Sequence, residues 1–119
     1  MKRILTTGIT LLLASLVQTA LAAEAHAVRG ADLKKICTSF DDIPASASDG
    51  MCVGYVVGVM SVMEYINVLC LPGEASHAQM TLVVQKYLAD NPAKLHLDAE
   101  QLVIDALQEA FPCSDASML

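Results

Sequence analysis

The sequence predicts an all-α protein, a small four-helix domain stapled by two disulfides and placed behind a cleaved signal peptide. Three observations predict this. The chain opens on an export leader. Its four cysteines, Cys37, Cys52, Cys70 and Cys113, all follow that leader, and an even count of thiols in a short exported chain reads as a disulfide framework. Downstream of the leader, apolar residues recur at helical spacing in four segments separated by short, breaker-rich loops.

The leader begins with Lys2-Arg3. An apolar run follows around Ile9 to Leu21, broken only by Thr10, Ser15, Gln18 and Thr19, and it ends in Ala20-Leu21-Ala22-Ala23. A charged start, a short apolar stretch and an Ala-x-Ala end are the parts of a signal peptide. They place the cut after Ala22, with Ala25-His26-Ala27 offering a second position after Ala27. A bilayer span needs about 20 predominantly apolar residues, so an uncleaved anchor is the poorer reading, and no stable membrane insertion is expected after cleavage. No cysteine stands just after the cut to carry a lipid. The expected destination is the bacterial periplasm.

Removing residues 1–22 leaves 97 of the 119 residues, one domain from Ala23 to Leu119 with its core at about 31–113. The leader holds Lys2 and Arg3 and no acid. Of 7 basic and 13 acidic residues the mature chain therefore keeps 5 against 13, a net charge of −8. Such a balance, with no basic run, argues against nucleic acid and anionic membrane surfaces as partners.

Residues 23–30 read as a frayed tail. The first helix starts near Ala31, with Leu33, Ile36, Cys37 and Phe40 at helical spacing. Asp41 to Ser48 is a loop rich in turn and cap residues. Asp49 can cap the second helix, which reads from about Gly50 to Cys70. That helix is apolar nearly all round, with only Ser61, Glu64 and Asn67 as a polar stripe, and so should be buried on most sides. Leu71-Pro72-Gly73-Glu74 stops it. Ser76 with Gln79 is a capping-box pattern opening the third helix, whose inner face is Met80, Val83, Val84, Tyr87 and Leu88 and whose outer face includes Gln79, Gln85 and Lys86. Asn91-Pro92 ends it and a loop runs to Leu97. Asp98 with Gln101 repeats the capping arrangement for the fourth helix, which faces inward through Leu102, Val103, Ala106, Leu107 and Ala110.

Four cysteines allow three pairings. Cys52 and Cys70 stand 18 residues apart on one predicted helix, roughly 27 Å at 1.5 Å per residue, whereas a disulfide tolerates about 7 Å between α-carbons. Two schemes survive. The loop between the first two helices makes a hairpin that brings Cys37 to Cys52, which leaves Cys70 for Cys113.

Little in the chain points to catalysis or to a cofactor. Cysteine separations of 15, 18 and 43, with His77 and His96 19 apart, do not match the close ligand pairs of structural zinc. A nucleophilic cysteine beside either histidine would need a free thiol, which an even count in an exported chain disfavours. Gly54 and Gly58 form Gly-x-x-x-Gly, which lets another backbone approach. Met51, Met60, Met63 and Met80 read as core filling, with an adaptable binding face as the sharper reading.

From the second helix onward the chain carries a further pattern. Cys52-Val53-Gly54-Tyr55-Val56-Val57-Gly58-Val59 is followed by Cys70-Leu71-Pro72-Gly73, then Val83-Val84-Gln85-Lys86-Tyr87-Leu88 with Pro92, and last Phe111-Pro112-Cys113. In this order and spacing the motifs resemble the Rap/Tai family of type VI secretion immunity proteins over about Leu33 to Cys113. The resemblance implies a helical, disulfide-bonded periplasmic protein without enzymatic activity or cofactor, often a homodimer. Such proteins protect a bacterium by occluding the active site of a peptidoglycan amidase toxin, so a cognate secreted amidase is the expected partner.

Occluding an active site calls for a protruding, preorganised segment. The candidate partner-binding residues are Asn91, Lys94, Leu95 and His96 in the connecting loop, with Gln79, Gln85 and Lys86 beside it on the third helix. The alternative reading is a small acid-stress holdase, since such chaperones are also small, helical and disulfide-bonded and many carboxylates make a protein pH-sensitive.

Overall fold

The computed structural model describes residues 27–113; the leader, the Ala22 cleavage position and the tail 114–119 lie outside that range. Within it the elements are α1 (Gly30–Cys37), α2 (Ala47–Tyr65), α3 (His77–Asp90), a 3₁₀ turn (Pro92–Lys94) and α4 (Ala99–Ala110). Every pair of helices is in contact. The expected all-α class is what the chain adopts, and no helix among the described residues is long and apolar enough to cross a membrane.

Both disulfides pair as the hairpin argument expects. Cys37 bonds Cys52 and Cys70 bonds Cys113, with α-carbons 5.0 and 5.1 Å apart. The first bond is fully buried and joins the end of α1 to the start of α2. The second is half-buried and ties the loop after α2 to the residues after α4.

The core takes one stripe from each helix: Leu33 and Cys37, then Cys52, Val56 and Met60, then Met80, Val84, Tyr87 and Leu88, then Leu102, Val103, Ala106 and Leu107. Of the expected inward residues, Val83 is half-buried and Ala110 exposed. Ser76 caps α3 as expected, its Oγ accepting from Gln79 N–H at 3.1 Å.

Helix α2 departs from expectation at three points. Its N-cap is Ser46, and Asp49 sits one turn inside, buried, accepting from Ser39 Oγ at 2.7 Å and Ser46 Oγ at 2.8 Å. These hydroxyls, Ser39 first, hold the Asp49 carboxyl below its ordinary range. The helix also ends at Tyr65, five residues early. Asn67 takes a left-handed φ of 59°, its N–H reaches Glu64 O and Val68 N–H reaches Met63 O, both at 3.0 Å, which is a Schellman closure with asparagine in the place usually held by glycine.

The third departure is burial. Only Asp49, Cys52, Val56 and Met60 of α2 are buried. Three short neighbours cover one side of a 19-residue helix, and the opposite side has nothing over it among the described residues.

Candidate functional site

The segment between α3 and α4 is short and tightly held. Asn91 closes α3 by donating its Nδ2 to Tyr87 O at 2.8 Å, and Pro92 then starts the 3₁₀ turn. Lys94 folds back over the Tyr87 ring, its Nζ 5.3 Å from the ring centroid and 2.9 Å from the hydroxyl. The Tyr87 hydroxyl raises the Lys94 ammonium above its ordinary value, so the lysine stays charged. His96 Nδ1 lies 3.1 Å from Ala93 O.

The far side of the segment is latched to the start of α1. The first N–H groups of a helix have no partner inside it. Here Gly30 N–H and Ala31 N–H donate to Leu97 O and Leu95 O, both at 2.9 Å, and Ala99 N–H, the first of α4, donates to Val28 O at 2.8 Å. Arg29 adds its guanidinium, with Nη1 3.2 Å from His96 O and 3.1 Å from the Asp98 carboxylate. Gly30 is required at this crossing. A Cβ there would collide with Leu102 Cδ1 and come within 3.1 Å of the Leu95 backbone.

Two expectations fail here for one reason. Arg29 and Gly30 are not a frayed tail but a latch, with Gly30 buried and Arg29 exposed, and the Asp98 side chain makes no cap bond because it pairs with Arg29 instead. Gln101, expected to complete the box, donates to Asp105 at 2.7 Å. Pairing across 69 positions of chain leaves no local trace in the sequence.

The structure places the candidate residues unevenly. Lys94 and His96 are exposed at the tip, and Asn91 and Leu95 are half-buried and hold it from below. Lys86 is exposed and joined to Asp90 at 2.6 Å, which raises its ammonium in the same direction as Lys94. It stands between two surface grooves, one lined by Lys34, Thr38, Gln85 and Ala89, the other by Val83, Asn91, Ala106 and Glu109. Gln79, in the first turn of α3, is about 18 Å from Asn91 along the helix. Gln85 does not face out. Its amide is turned inward, and Nε2 donates to Cys37 O at 2.6 Å and Phe40 O at 3.1 Å, satisfying carbonyls at the end of α1. Sequence reasoning missed Arg29 and Gly30; a glycine at a predicted helix start is the one signal that pointed there.

All four cysteines are in disulfides, so the nucleophilic-cysteine reading falls. Among the described residues no group of three or more His, Cys, Asp or Glu side chains is placed to hold a metal ion.

The family model of the Rap1a immunity proteins matches residues 29–113, which takes in all four helices, both disulfides and the Arg29 latch. The chain belongs to that family. Membership points to a non-enzymatic inhibitor of a cognate toxin, and the two disulfides are consistent with export. No curated protein matches the chain.

Proposed function

We propose that this chain is a periplasmic immunity protein that binds a peptidoglycan amidase toxin delivered by type VI secretion and blocks its active site with the segment Asn91–Leu97. The observation that carries the reading is the latch. Four hydrogen bonds and an ion pair between residues 28–31 and residues 95–99 hold the segment before any partner arrives, so little ordering cost remains at binding. The Lys94 ammonium and the His96 ring stand at its tip, with acidic Asp105 and Glu109 of α4 close enough to act on Lys94. Such a surface suits an enzyme that works on anionic peptidoglycan and is itself basic.

The leader and the disulfides support a periplasmic location for this activity, since thiols oxidise there. The same reading carries a homodimer. The exposed apolar side of α2 would serve a holdase instead.

The test is capture of amidases from periplasm and culture medium by the mature protein and by its Lys94→Ala/His96→Ala variant. Loss of at least tenfold in affinity, about 1.4 kcal/mol, is expected for the variant. Unchanged affinity removes the tip from the mechanism, and no amidase bound by either protein removes the toxin reading.

A further inference from the structure

The connection between α1 and α2 is held more firmly than a turn requires. Phe40 is buried and its carbonyl accepts from Gln85 Nε2 at 3.1 Å, which fixes the loop where it leaves α1. At the other end the buried Asp49 carboxylate gathers three donors, Ser39 Oγ at 2.7 Å, Ser46 Oγ at 2.8 Å and Ala45 N–H at 3.3 Å. The Cys37–Cys52 bond closes the base. Between these clamps Asp41, Asp42, Ile43 and Pro44 are all exposed.

The backbone of these four residues is also confined. Asp42 has a φ of 83°, a value that side-chain-bearing residues rarely take. Ile43 precedes a proline, which restricts it to extended conformations, and the ring of Pro44 fixes its own φ. Ile43 is left 74% exposed, with a carboxylate on each of the two residues before it. Burying a carboxylate is costly unless its partners are supplied. Here the partners of Asp49 belong to the loop, so the cost is met by fixing a segment whose one large apolar side chain stands in water.

This loop and the tip border one surface. Helix α1 spans about 12 Å between the latch at Gly30 and the start of the loop. The groove between α1 and α3 runs from Thr38 to Lys86, and the second groove continues from Lys86 to Asn91 at the foot of the tip. A partner covering a standard area of about 800 Å², roughly 30 Å across, meets both ends.

We propose that Ile43 is a second anchor for the toxin, seated in an aliphatic pocket of the amidase whose rim is basic, with Asp41 and Asp42 facing that rim. The proposal rests on the amidase reading above and adds a contact apart from the tip. A side chain already held in place loses little freedom when it is buried by a partner. Few residues carry most of the energy of an interface, and a central apolar side chain entering a pocket is such a residue. The two carboxylates suit a basic enzyme and repel an acidic one, so they select the partner as well as attract it.

The test titrates the amidase that the wild-type mature protein captures from culture medium, once purified, against variants of the loop. Ile43→Ser is expected to weaken binding about tenfold or more and to leave thermal melting unchanged, because Ile43 lies outside the core. Ile43→Lys sets a cation against the basic rim and should weaken it further. Asp41→Asn/Asp42→Asn keeps a residue that tolerates the left-handed φ and removes both charges. That variant should associate more slowly, with a flatter dependence on salt and little change in dissociation. Wild-type affinity for both Ile43 variants overturns the anchor and leaves the tip standing. Loss at Ile43→Ser with none at Lys94→Ala/His96→Ala supports the anchor and removes the tip. An unchanged association rate and salt dependence in the double asparagine variant overturns the basic rim. No amidase bound by the wild type overturns the toxin reading and the anchor together.

Discussion

Replacing Gly30 by alanine tests the latch with a single methyl group. The new Cβ meets two neighbours of different stiffness. Leu102 Cδ1 is the end of a side chain and can rotate away. The Leu95 α-carbon and carbonyl oxygen, both at 3.1 Å, are backbone and must move by a few tenths of an ångström. Moving them pulls Leu95 O from Ala31 N–H and shifts the tip at Lys94 and His96. Overpacking of this kind costs about 1–3 kcal/mol, against which alanine at a helix position returns at most about 1 kcal/mol. The net expectation is a loss of about 1–2 kcal/mol, or about 4–8 °C in Tm for each kcal/mol in a domain of this size. Thermal melting measures it, with amide exchange at Gly30 and Ala31 as a local readout. Gly73→Ala is the control, because its φ is negative and nothing stands within 4 Å of its Cβ, so it should be neutral or stabilising by about 0.4–1 kcal/mol. A Gly30→Ala protein with wild-type Tm and undiminished protection at both amides would refute the reasoning.

The two disulfides should differ in an order opposite to their loop lengths. Chain entropy alone makes the 43-residue closure worth about 4 kcal/mol and the 15-residue closure about 3 kcal/mol. Serine at Cys37 and Cys52 also buries two hydroxyls in the core, at about 1–3 kcal/mol each if unpaired, so that double variant should be the less stable in urea, and the reverse order contradicts the account. Asp49 is held below its ordinary value near 3.8, so its contribution is present above that pH and is lost as pH falls through the lower folded value. Between pH 7 and pH 3 an Asp49→Asn protein should therefore lose less Tm than the wild type, and equal losses count against the Ser39–Asp49–Ser46 arrangement. Asn67→Ala should cost about 1 kcal/mol because alanine resists a left-handed φ, whereas Asn67→Gly should not; chemical denaturation of the pair distinguishes them.

Much of the fold was legible because its signals are local or covalent. The helical spacing of Met80, Val84 and Leu88, the Ser76 cap and the exclusion of a Cys52–Cys70 bond all needed only neighbours in sequence or the length of a helix. The end of α2 was also written locally, in Asn67, but the apolar run continuing through Val68 and Leu69 hid it. Burial of α2 was not legible, because apolar content shows what a helix can cover and not how many neighbours it has. At the candidate site, Lys94 and His96 could be placed at an exposed tip from Asn91-Pro92 and Asp98 alone. The latch could not, since Arg29 and Gly30 act on residues far along the chain. Gln85 was misread for the same reason, its partners being backbone carbonyls 45 and 48 positions earlier.

The most direct test of the central claim is co-culture of cells lacking this gene with siblings whose type VI secretion is active. The account predicts that the deleted cells lyse with cleaved peptidoglycan amide bonds. Expression of the full chain with its leader should restore survival, and expression from Ala23 without the leader should not. Survival of the deleted cells equal to that of wild-type cells would contradict it.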